Sequence, residues 1–125
     1  MQGKASPELV RAMGPFGGGL AGTGEVCGAV VGALAAIGLA YSRSAPGEKE
    51  DFQMWVLGNR FLKRFRNEAG KGSIYCRDIT QTDWRDSEQK AKFYGSEKYF
   101  ACRDLTANAA RILGEMLEES GAAKK

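Results

Sequence analysis

Three cysteines, Cys27, Cys76 and Cys102, are the residues of this chain whose type offers covalent chemistry. A thiolate is a nucleophile, a two-electron redox group and a ligand for soft metals. Histidine is absent from the 125 residues. That excludes histidine-ligated zinc, histidine-ligated haem, histidine general bases and the usual serine or cysteine triads. Chemistry on this chain is therefore expected to run through sulfur.

The surroundings of each cysteine differ. Cys27 follows a glycine-dense stretch over 14–25 and stands in the charge-free run 26–41, whose Ala, Leu and Val content predicts a buried helix. Thr23 is the natural N-cap, which would leave Cys27 within a turn of the unpaired N–H groups and biased toward thiolate. Ser73 repeats the pattern, with Cys76 at the third position of a short helix. Cys102 falls on one face with Leu105, Ala109, Ile112, Leu113 and Met116, so it is expected to point into the core. The phrase Cys-Arg-Asp occurs at both 76 and 102, each time placing an Arg beside the thiol.

Other motifs carry less. Gly17 to Gly22 fits G-x-G-x-x-G, but no strand precedes it and no Gly-Lys-Ser/Thr follows, so a nucleotide site is not expected. Arg60, Lys63, Arg64 and Arg66 close a predicted helix, where cations suit the macrodipole, and read as a solvated face rather than a nucleic-acid surface. Trp55 and Trp84 read as packing residues. Three thiolates could hold a metal or iron–sulfur centre with an open position, yet their wide spacing lacks the usual CxxC clustering.

The elements that must position the thiols follow from periodicity. Ser6-Pro7 predicts a short helix ending before Gly14-Pro15. A small-residue face, Gly28, Ala29, Gly32, Ala36 and Gly38, marks the second helix as one that lets a neighbour approach closely. A third helix is predicted from Glu48 to about Ala69, with Phe52, Trp55, Val56, Leu62 and Phe65 as its apolar stripe. A short helix after Asp86 or Ser87 and a last one from Glu97 to about Glu119 complete the set. Nothing alternates like a strand. The expected architecture is all-α: a single domain over 1–125, a small bundle of four or five helices with the glycine-rich loop leading into the central Gly/Ala-rich helix.

Phe16-Gly17-Gly18-Gly19, Cys27-Gly28-Ala29-Val30-Val31-Gly32 and Ile37-Gly38-Leu39 together resemble the family of redox-active proteins named for its C-GCAxxG-C-C pattern. Cys76 and Cys102 match that family's third and fourth cysteines, and the likeness extends over about 7–118. The resemblance implies a small helical protein with a thiol redox or metal-linked role. The family's first cysteine lies on a helix upstream of the glycine loop and has no counterpart here. Its likeness to multi-haem cytochromes does not carry over either, because this chain has no Cys-x-x-Cys-His.

The functional expectation is thiol redox chemistry through Cys27, Cys76 and Cys102, with a redox partner protein. The alternative is a non-enzymatic helical module that binds a metal, an iron–sulfur centre or a partner subunit. The odd cysteine count favours a reducing compartment, the cytoplasm. The first residues carry Lys4, Glu8 and Arg11 without a continuous apolar stretch, so a signal peptide is not expected. The run 26–41 falls short of the roughly 20 residues a membrane helix needs. Because that run is apolar on every side, a homodimer covering it is expected.

Overall fold

The computed structural model of the chain describes residues 6–121. Its elements run in the order α1 (Pro7–Met13), a 3-10 turn (Gly14–Phe16), α2 (Gly28–Tyr41), α3 (Gln53–Glu68), α4 (Cys76–Thr80), α5 (Ser87–Tyr94) and α6 (Glu97–Ser120). The all-α bundle anticipated from the sequence is present. Three caps are side-chain oxygens. Ser6 accepts from the Leu9 N–H at 3.4 Å, Asp86 from Glu88 at 2.9 Å, and Ser96 from Lys98 at 3.2 Å.

Helices α2, α3 and α6 pack on one another and make the core. α2 contributes Val30, Ala33, Ile37 and Tyr41, a set spaced by three and four residues and therefore on one face. α3 adds Leu57, Phe61 and Phe65, and α6 adds Leu105, Ala109, Ile112, Leu113, Met116 and Leu117. Phe61 and Phe65 are fully buried, with ring centroids 6.0 Å apart. Truncating either to Ala would cost about 3–5 kcal/mol.

Several expectations need correction. α2 is not buried all round: only one face reaches the core, and Leu39 is 55 % exposed. α3 begins at Gln53 rather than Glu48, because the acidic residues before it are engaged outside the helix. Glu48 accepts from the Ser44 N–H and hydroxyl, and Asp51 accepts from the Gln53 N–H. The α3 stripe is also rotated. Phe52 and Trp55 face solvent, Trp55 donating its indole N–H to Glu50 at 3.2 Å, while Leu57 and Phe61 face inward.

The basic end of α3 is not simply solvated. Arg64 pairs with Glu68 at 2.6 Å and with Glu115 of α6 at 2.8 Å, while Arg111 reaches Glu68 at 3.6 Å and Glu115 at 2.9 Å. The pairing tethers α3 to α6 and holds the Glu68 and Glu115 carboxyls below their ordinary range through hydrogen bonds from Arg64. No helix among the described residues is long and apolar enough to cross a membrane.

Candidate functional site

The glycine loop is built around a left-handed turn. Residues 18–22 all have positive φ, from +55° to +73°, including Leu20 and Ala21. A non-glycine residue there costs about 1–2 kcal/mol, so the loop needs internal bonding to hold it. It has that bonding. The N–H groups of residues 20–25 all donate to carbonyls of residues 15–20, for example Ala21 to Pro15 at 2.6 Å and Glu25 to Gly19 at 2.8 Å. Those amides are therefore engaged within the loop itself.

The loop then meets the segment before α4. Val26 and Tyr75 form an antiparallel bridge, flanked by Cys27 N–H to Ile74 C=O at 2.8 Å and Cys76 N–H to Glu25 C=O at 2.7 Å. Arg77 adds a backbone bond to Gly24 and an ion pair with Glu25 at 3.2 Å. This pairing keeps residues 24–26 out of the helix, which corrects the expected cap. Cys27 itself is the N-cap of α2, and Thr23 instead donates its hydroxyl back into the loop, to Gly19 and Leu20. Likewise Tyr75, not Ser73, precedes α4, so Cys76 is its first residue rather than its third. Ser73 accepts from Tyr75 N–H and donates to Asp78.

The bridge register brings two thiols together. Cys27 and Cys76 each follow a member of the bridged pair, so alternation turns both to the same face. They are diagonal neighbours across the bridge.

The two sulfurs have different company. Cys76 is buried. Its Sγ accepts the indole N–H of Trp84 at 3.2 Å and lies 4.0 Å from the Thr80 hydroxyl, which donates to the Cys76 carbonyl at 2.7 Å. The loop closes over it at Gly19, where a Cβ would come within 2.6 Å of Cys76 Cβ. Cys27 is half-buried against the core. Burial pushes its thiol up; the Ala29 and Val30 N–H groups pull it down but do not prevail, and the neighbouring Cys76 adds to the rise. The expected bias of Cys27 toward thiolate is therefore reversed, because desolvation outweighs the helix N-terminus.

Cys102 does not reach the core as its helical face suggested. It is half-buried and lines a cleft of about 360 Å³ between α4, the end of α3 and α6. The core begins one turn later, at Leu105. Burial raises its thiol, and the charges of Cys27 and Cys76 raise it further. Among the described residues no group of three His, Cys, Asp or Glu is gathered closely enough to hold a metal ion. All three thiols are free.

Trp84 is the residue whose role the sequence concealed. It stands eight positions after Cys76 in an irregular segment, and only its unmatched indole N–H hinted at a polar partner. It also packs edge-on against Phe93, with centroids 4.7 Å apart.

Fold and thiols together define a small all-α cysteine protein, its sulfurs carried by two helix starts and one long helix. The chain belongs to the C_GCAxxG_C_C family: the family model described as "Putative redox-active protein (C_GCAxxG_C_C)" matches residues 1–116. No curated protein and no solved structure matches the chain significantly.

Proposed function

We propose that this protein carries out thiol–disulfide redox chemistry through Cys27, Cys76 and Cys102. The single observation that carries the reading is the Val26–Tyr75 bridge, whose flanking bonds from the Cys27 and Cys76 N–H groups set two free thiols on adjoining segments. Family membership supports a redox role in general terms.

The cycle is a two-electron exchange. Cys27, through the minor thiolate fraction that its raised pKa leaves, attacks one sulfur of a disulfide, forming a mixed disulfide and expelling the other sulfur as thiolate. Cys76 then attacks Cys27 Sγ, closing a Cys27–Cys76 disulfide and releasing the second thiolate. The substrate disulfide gains two electrons and the protein dithiol loses them. A redox partner protein with a reduced dithiol restores the pair, and a reducing compartment such as the cytoplasm suits that step. Thiol counting after graded oxidation tests the reading. Loss of two thiols as an intramolecular Cys27–Cys76 disulfide is expected; oxidation without any intramolecular disulfide would exclude it.

A second element of the reading is a homodimer. Val10 is 75 % exposed and Leu39 55 % exposed, and both border an apolar groove between α1 and α2. Such a face is normally covered. Light scattering at micromolar concentration should give twice the 13.5 kDa of one chain. A monomer would show that the face stays open.

A further inference from the structure

The cleft beside Cys102 joins a thiol to both charged and apolar walls. Ile79, Ala101 and Leu105 form an apolar side, and Lys71, Lys98 and Asn108 stand at the polar edge. Lys98 precedes Cys102 by four residues on α6, so their side chains share a face. Its ammonium donates to the Gln81 carbonyl at 2.9 Å, which holds it at the cleft. Lys71 is placed there by an unusual backbone. It has φ +55° between Gly70 and Gly72, in the left-handed region where a glycine would fit without strain. Asp104 also lines the cleft, but Arg103 lies 3.8 Å from its carboxylate.

Resting on the thiol-redox reading above, we infer that this cleft receives small anionic disulfides, carboxylate toward Lys71 and Lys98 and aliphatic or aromatic body against Ile79 and Leu105, and presents them to Cys102. The volume of about 360 Å³ suits a ligand of that size rather than a protein segment. Cys102 as thiolate attacks the nearer sulfur, forming Cys102–S–S–R and releasing RS⁻. Cys27 then attacks Cys102 Sγ, expels the second RS⁻ and leaves a Cys27–Cys102 disulfide. Attack by Cys76 on Cys27 moves the bond inward and frees Cys102. Two electrons pass from the protein to the small disulfide, which leaves as two thiols after protonation. The Cys102 of this scheme supplies the mixed disulfide that Cys27 attacks.

The test uses the reduced full chain and three small disulfides: dianionic 5,5′-dithiobis(2-nitrobenzoate), neutral 2,2′-dithiodipyridine and dicationic cystamine. Modification at Cys102 is followed by peptide mass spectrometry, and each rate is divided by that of free 2-mercaptoethanol with the same reagent. The normalised rate should be highest for the dianion and lowest for cystamine. In the K71Q/K98Q variant the dianion's advantage should fall roughly two- to fivefold, the size of effect exposed charge pairs give, and added salt should reduce it in wild type. Equal normalised rates, or a preference untouched by K71Q/K98Q, would overturn the inference. The two readings fail separately. Charge preference at Cys102 with no later intramolecular disulfide keeps the cleft and sinks the redox cycle, whereas intramolecular disulfides without charge preference do the reverse.

Discussion

The indole N–H of Trp84 donates to the sulfur of Cys76 across 3.2 Å, beneath a glycine loop that closes at Gly19. An indole is a donor only, so the sulfur must be the acceptor. Trp84→Phe keeps the edge-on packing with Phe93 but removes the donor. The variant should lose about 0.5–1.5 kcal/mol in urea unfolding. Cys76 should also be alkylated faster, because its sulfur is no longer pinned. Unchanged stability and unchanged labelling would mean the contact does nothing for the thiol.

Two glycines of the loop separate conformation from crowding. Gly19 and Gly22 have nearly equal φ, +72° and +73°, so an Ala at either meets the same backbone penalty. At Gly22 a Cβ meets nothing within 4 Å, whereas at Gly19 it meets Cys76 Cβ at 2.6 Å and the Glu25 backbone at 2.7 Å. Gly22→Ala should cost about 1–2 kcal/mol. Gly19→Ala adds overpacking and should cost about 2–5 kcal/mol in all. Equal losses in chemical denaturation would show that the loop moves off Cys76 freely.

The thiols set an alkaline limit. Burial raises Cys27 and Cys102 in the folded protein. Above the ordinary thiol range the unfolded chain releases these protons first, so it binds fewer protons than the folded state and stability falls as pH rises. The stabilisation is complete below the unfolded value and is lost as pH climbs through the folded one. Unfolding midpoints between pH 7 and pH 10 should decline less steeply in Cys27→Ser. Alkylation of Cys27 with iodoacetamide should lag behind that of a free thiol at the same pH, and a faster reaction would contradict the burial argument.

The opposite limit belongs to the α3–α6 ion pairs. Glu68 and Glu115 titrate below their ordinary range because Arg64 donates hydrogen bonds to both. Their stabilisation is present above the unfolded carboxylate range and lost as pH falls through the folded values. Arg64→Met should move the acid-unfolding midpoint of the full chain to higher pH. An unmoved midpoint would mean that these exposed pairs add nothing.

Local signals in the chain specify a good deal of this molecule. Ser6-Pro7 and Asp86 start α1 and α5 because a cap acts within three residues, and the spacing of Leu105 to Met116 already names the core face of α6. The three cysteines could be singled out as candidate site residues from the absence of histidine and from the family pattern. Their environments could not. Whether Thr23 or Cys27 caps α2 depends on the Val26–Tyr75 bridge, a contact between segments about fifty positions apart that has no local signature. Whether Cys27 leans toward thiolate depends on how much solvent the core removes, which outweighs the helix start visible in the sequence. The inward face of α3 and the cleft at Cys102 likewise arise where separate helices meet. Capping and periodicity act over a few residues, whereas desolvation and pairing between segments exist only once the chain has closed on itself.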